Sequence, residues 1–119
     1  MTPFGLKIRE LRAERQISQK KMAADLNVSA AYLSALEHGH RGQPPWSLVQ
    51  KIISYFNIIW DEAEDLENLA RLSHPRVVID TSGLDAETTE LVNHLSQKVR
   101  RLSKPTVLHI LSLLKEEKS

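Results

Sequence analysis

Apolar residues recur along this chain at helical spacing, in blocks separated by short polar or Gly- and Pro-bearing breaks. Phe4, Ile8 and Leu11 share one side of a helix that starts at Thr2-Pro3, with proline in the first turn, and runs over residues 3–15. Met22, Ala23 and Leu26 give a buried side to residues 19–26, and Leu33 and Leu36 give one to residues 30–38. His40-Arg41-Gly42-Gln43-Pro44-Pro45 reads as a loop. Leu48, Val49, Ile52, Ile53 and Phe56 then mark a fourth helix over residues 46–56, where Trp46 and Phe56 are expected to close the core. Trp60, Ala63, Leu66 (or Glu67), Ala70 and Leu72 are the packing residues of the next, over residues 60–73, which His74-Pro75 ends.

Beyond residue 75 the pattern changes. Arg76-Val77-Val78-Ile79-Asp80 is β-branched and short and predicts a strand, either paired with its counterpart in a second copy or packed as an extended segment. Thr81-Ser82-Gly83 is a turn, and Asp85 caps a helix over residues 86–102 carrying Leu91, Val92, Leu95, Val99 and Leu102. Ser103 caps a last helix, over residues 104 to about 117, with Pro105 in its first turn and Val107, Leu108, Ile110, Leu111, Leu113 and Leu114 on a broad apolar surface. Such a surface packs on the first domain or on another copy, and a homodimer is the favoured expectation.

The densest pattern lies between Ser18 and Gly39. Ser18 and Ser29 are N-cap candidates for consecutive short helices, because a hydroxyl can accept an otherwise unpaired backbone N–H. Asn27 is among the few residue types that tolerate the positive φ of a tight interhelical turn. Val28 plugs the angle between the helices, and Gly39 stops the second in the left-handed manner. Leu11-Arg12, Ser18-Gln19, Ala23, Asn27-Val28-Ser29, Leu33 and Leu36-Glu37-His38-Gly39 together resemble the Xre family, the phage repressor and Cro-like helix-turn-helix proteins. The resemblance covers residues 4–58, and Asn27 stands where that family usually has Gly.

A helical wheel centred on Leu33 and Leu36 points Ala31, Ser34, Ala35 and His38 away from the core and puts Ala30 and Tyr32 on the flanks. The resemblance implies base-edge readers at Ala30, Ala31 and Ala35 and phosphate contacts at Gln19 and His38. Alanines offer only apolar contact to thymine methyls, so direct readout falls to Ser34, Tyr32 and His38, with DNA shape supplying the rest. The same alanines also suit a helix lying on a protein partner. Ser29, Lys20, Lys21, Arg41 and Gln43 complete the expected DNA-binding set, the cations as phosphate anchors. The resemblance further implies an ion pair between Arg12 and Glu37 that ties the first helix to the third; solvated side chains are the alternative.

Charge supports this placement. Residues 1–60 carry eight Lys/Arg and four Asp/Glu, whereas residues 61–119 carry eight and eleven. Phosphate attraction needs the basic half where the helix pair lies. The run Asp61-Glu62-Ala63-Glu64-Asp65 is a solvated acidic face at a helix start. With no cysteine there is neither disulfide nor thiolate metal site, and the five histidines, 38, 40, 74, 94 and 109, lack ligand spacing, so no metal or cofactor is expected. Nucleophile elbows, phosphate loops and zinc-protease pairs are missing, which argues against an enzyme. No apolar run of about 18 residues and no signal-peptide core occur, so no membrane association is expected and the expected location is cytoplasmic.

The expectation is an all-α chain: a five-helix Cro/repressor-like helix-turn-helix domain, then a C-terminal helical hairpin with one short β-strand. Residues 1–59 form the DNA-binding domain and residues 60–119 the helical extension. The resemblance implies a repressor of double-stranded DNA, and the apolar C-terminal residues predict a homodimer joined through Val77, Val78, Ile79, Leu91, Leu95, Val99, Leu102, Val107, Leu108, Leu111 and Leu114. The alternative is an antitoxin-type module that binds a toxin partner and its own operator.

Overall fold

The computed structural model describes residues 1–118; Ser119 lies outside them. Every regular element among the described residues is a helix: α1 (Pro3–Glu14), α2 (Gln19–Asp25), α3 (Ala30–Glu37), α4 (Trp46–Phe56), α5 (Trp60–Arg71), α6 (Ala86–Lys98), a 3₁₀ turn (Val99–Arg101) and α7 (Lys104–Glu116). The described residues fall into two compact units, Met1–Val77 and the residues from Val78 on.

In the first unit the start of each of the first three helices is set by one side chain. Thr2 accepts from the Gly5 N–H, Ser18 from Lys21 and Ser29 from Tyr32, each satisfying a donor the helix leaves unpaired. Their ends share a second device. Gln16, Asn27, Gly39 and Asn57 all have positive φ, at 56°, 60°, 82° and 56°. In each case the next residue's N–H reaches back to a carbonyl in the last turn: Ile17 to Arg12, Val28 to Ala23, His40 to Ala35 and Ile58 to Ile53. Ile17, Val28 and Ile58 then turn inward onto the core, so the motif that stops the helix also fixes the exit direction.

That core is Phe4, Ile8 and Leu11 from α1, Met22 and Ala23 from α2, Leu33 and Leu36 from α3, Leu48, Val49, Ile52 and Phe56 from α4, and Leu66 and Ala70 from α5, with Leu26 and Ile58 from the turns. Helix α1 packs on both α3 and α5, α2 on α3, and α4 on α5. The sequence assigned α5 to the C-terminal extension; instead it completes the first core, because Leu66 and Ala70 sit on its inward side.

Three further expectations are corrected. Trp46 is 58% exposed and Trp60 83%: Trp46 lies off the centre of the apolar stripe of α4 by roughly 100° on a helical wheel, and Trp60 takes a positive φ of 55° at the start of α5, outside the right-handed helical phase. Leu72, on the far side of α5 from Ala63 and Ala70, is likewise exposed. Residues 76–80 form no strand, and Val78 is 89% exposed; β-branched residues favour extended backbone, but without a partner strand there is no ladder to form.

In the second unit Asp85 caps α6 through the Thr88 N–H and Ser103 caps α7 through Thr106. Helix α6 ends at Lys98, and its last expected turn tightens into the 3₁₀ segment. The expected hairpin is loose: neither α6 nor α7 contains a buried residue, and the two helices make at most glancing contact. Among the described residues no helix is long and apolar enough to cross a membrane.

Candidate nucleic-acid interface

The α2–turn–α3 segment is positioned by Glu37, the last residue of α3. Its side chain is almost fully buried, and it accepts a two-pronged contact from the Arg12 guanidinium, with Nη2 at 3.3 Å from Oε1. Burying a carboxylate is tolerable only with such a partner. The Glu37 carbonyl meanwhile accepts from the Thr2 N–H at 3.0 Å and the Thr2 hydroxyl at 3.3 Å. Phe4 N–H donates to the Ser73 hydroxyl at 2.8 Å, which ties the start of α1 to the end of α5. One end of α3 is thereby clamped between α1 and α2, while its opposite side is left to solvent.

The Gln19 amide donates to Glu37 Oε1 at 3.3 Å. An amide nitrogen carries a second N–H, so Gln19 is oriented by the buried pair and still has a donor for a phosphate oxygen. Lys20 is exposed and, among the described residues, has no carboxylate within ion-pair distance. Lys21 differs: its ammonium is 3.1 Å from both Asp25 oxygens, one turn along α2. Asp25 also accepts from the Tyr55 hydroxyl of α4 at 2.6 Å. That hydrogen bond, then Lys21, holds the Asp25 carboxyl below the usual carboxylate range. Desolvation and the neighbouring carboxylate push the Tyr55 phenol up to about 12, so it stays a donor at neutral pH.

Along α3, Ala30 and Ala31 are exposed and Tyr32, Ser34 and Ala35 half-buried, with Ser29 exposed at the cap. The Arg41 guanidinium lies over the Tyr32 ring at 5.5 Å, a cation–π contact that holds this loop cation beside α3. His38 Nδ1 is 2.8 Å from the Ser34 carbonyl, which can only accept, so this nitrogen donates and the ring is held along α3. The His38 and His40 rings stand 6.1 Å apart, and among the described residues no group of three or more His, Cys, Asp or Glu could hold a metal.

The structure therefore groups Gln19 with the end of α3 and Arg41 with its first turn. Gln43 is exposed in the following loop, and Val77, Val78, Ile79, Leu91, Leu95, Val99, Leu108, Leu111 and Leu114 are exposed, with Leu102 and Val107 half-buried. The sequence reading did not include Asp25 and Tyr55. The Lys21–Asp25 spacing of four was visible as a helical ion pair, whereas the Tyr55 contact spans thirty positions and left no local signal.

Residues 3–66 match the family model of a helix-turn-helix domain, more than half of the chain. The chain belongs to the helix-turn-helix domain family. Over 61 residues it is 31% identical to an HTH-type transcriptional regulator, RghRB, of Bacillus subtilis (strain 168), covering 51% of this chain and 44% of that protein. It is 34% identical over 61 residues to the HTH-type transcriptional repressor RghR of the same organism, covering 51% and 45%. The chain thus aligns with less than half the length of either curated relative. No solved structure matches it. The helix-turn-helix match ends at Leu66, inside α5, in keeping with α5 as part of the first core.

Proposed function

We propose that this chain is a sequence-directed DNA-binding transcriptional regulator of Xre type, a homodimeric repressor that reads the major groove with α3. The observation that carries this reading is the outward side of α3. Glu37, Arg12 and Thr2 hold one end of the helix while Ala30 and Ala31 stay open to solvent. A helix so held and so lined can enter a groove about 12 Å wide without a side-chain clash. Gln19, Lys20 and Arg41 bracket it as phosphate contacts, with Lys21 and Gln43 in support. Small side chains on the groove face leave much of the discrimination to Ser34, Tyr32, His38 and the shape of the duplex. The names of the two relatives, a transcriptional regulator and a transcriptional repressor, point the same way.

The homodimer is supported by the second unit. Leu91, Leu95, Val99, Leu108, Leu111 and Leu114 are exposed, and neither helix buries a residue of its own. Helices this apolar and this short gain a core by covering one another across two copies. Two-fold pairing also sets recognition helices about 34 Å apart, in successive major grooves.

Lys20→Ala tests the phosphate role. Retention of labelled duplexes over a salt series should show every sequence weakened alike and the log Kd–log salt slope reduced by about 1 per chain. A Lys20→Ala protein with the parent's slope, or a parent protein that retains no duplex at low ionic strength, contradicts the proposal.

A further inference from the structure

We propose that the corner between α6 and α7, formed by Lys98, Arg100, Arg101 and Lys104, is a second phosphate-binding surface for duplex DNA, separate from the helix-turn-helix. The inference rests on the DNA-binding reading above and adds a contact to it.

Four of the seven residues from 98 to 104 are cationic, all four are exposed, and among the described residues none has a carboxylate within ion-pair distance. Between Leu91 and Lys115 the chain contains no Asp or Glu at all. Helix-end electrostatics accounts for part of the cluster: Lys98, Arg100 and Arg101 follow the C-terminal end of α6, where cations are favoured. It does not account for Lys104. That residue is the first of α7, at the end where a cation is disfavoured, and it follows Arg101 by only three positions in the chain, while Lys98 and Arg101 line one shallow concavity. Like charges gathered without a counter-charge destabilise an isolated chain, and an anion with several closely spaced charges relieves them.

Duplex DNA presents one negative charge per about 1.7 Å of axis. The first unit is close to neutral. Residues 1–77 hold ten Lys/Arg against nine Asp/Glu, and three of those cations, Arg12, Arg15 and Lys21, are ion-paired with Glu37, Glu14 and Asp25. The chain's densest uncommitted positive charge is therefore at the α6–α7 corner. The acidic start of α5 is the other candidate partner, in a second copy. Asp61 and Glu62 already lie in the first turn of α5, where they are favoured locally and need no outside cation.

The test uses the full chain and a fluorescent mixed-sequence duplex of about 30 base pairs, titrated at several salt concentrations between about 50 and 200 mM. The variant K98Q/R100Q/R101Q/K104Q should bind with a log Kd–log salt slope shallower by about 2–4 per chain, and at least tenfold more weakly at the lowest salt. A variant exchanging each Lys for Arg and each Arg for Lys should keep the parent's slope. Light scattering should give the parent's mass for both. If the quadruple variant misfolds by circular dichroism, Lys104→Gln alone should lower the slope by about 1. The parent's slope in the glutamine variants overturns the corner while leaving the helix-turn-helix reading intact. A lower mass overturns it in favour of a protein contact. A parent protein that binds no duplex overturns both.

Discussion

Alanine at position 5 should destabilise the first unit by about 3 kcal/mol, at the top of the range for overpacking, from the addition of one carbon atom. Gly5 lies where α1 crosses α3, and a Cβ there would sit 2.1 Å from the Glu37 carbonyl oxygen and 2.7 Å from its carbonyl carbon and Cα. These are backbone atoms, so no rotamer change relieves the clash; α1 must move off α3. Movement would also break the Thr2–Glu37 hydrogen bonds and disturb the Phe4–Ser73 one, which hold the same crossing. The glycine is required for this close approach, not for its φ. Urea unfolding of Gly5→Ala beside Leu6→Ala checks the claim. Leu6 is its exposed neighbour, and its truncation should cost no more than about 0.5 kcal/mol. Equal midpoints for the two variants would mean that the crossing tolerates a side chain.

Glu37→Leu should cost about 3–5 kcal/mol, because it leaves the Arg12 guanidinium buried without its carboxylate. Arg12→Met should cost a similar amount by stranding Glu37. The double variant should be far less destabilised than the sum of the two, since apolar side chains of similar size can fill the same space without an orphaned charge. Urea unfolding of all four proteins gives the coupling energy, and a value near zero would make the pair a pair in geometry only. The cycle also reaches the surface. Gln19 loses the acceptor that orients its amide whenever Glu37 is absent, so both Glu37 variants should bind duplex DNA less well even where they fold.

Much of the first unit was readable because its sequence signals are local. Ser18 and Ser29 cap the helices they were expected to cap, and Asn27 and Gly39 take positive φ, because these residue types satisfy the geometry by themselves. Gln16 and Asn57 use the same turn and were not singled out: glutamine is an unusual left-handed residue, and at both sites the inward turn of the following isoleucine decides the conformation. Trp46 and Trp60 misled because hydrophobicity favours burial, yet helical phase puts Trp46 outside the stripe and a positive φ turns Trp60 away from it. Residues 76–80 misled in the opposite way, since their propensity is extended but a strand is a pairwise structure. At the candidate interface, charge named Lys21 as a phosphate anchor. The four-residue spacing to Asp25 was legible as a helical ion pair, but not that Tyr55 holds Asp25 in place from α4.

If the outward side of α3 meets base edges, selection of bound duplexes from a random pool will show it most directly. Done at one stated salt concentration with the parent chain and with Ala31→Gln, the selection should return two different preferred sequences. The glutamine should add a preference for adenine at the base pair it reaches, through its paired donor and acceptor. Identical preferred sequences from the two proteins, with binding intact in both, would contradict the placement of α3 in the groove.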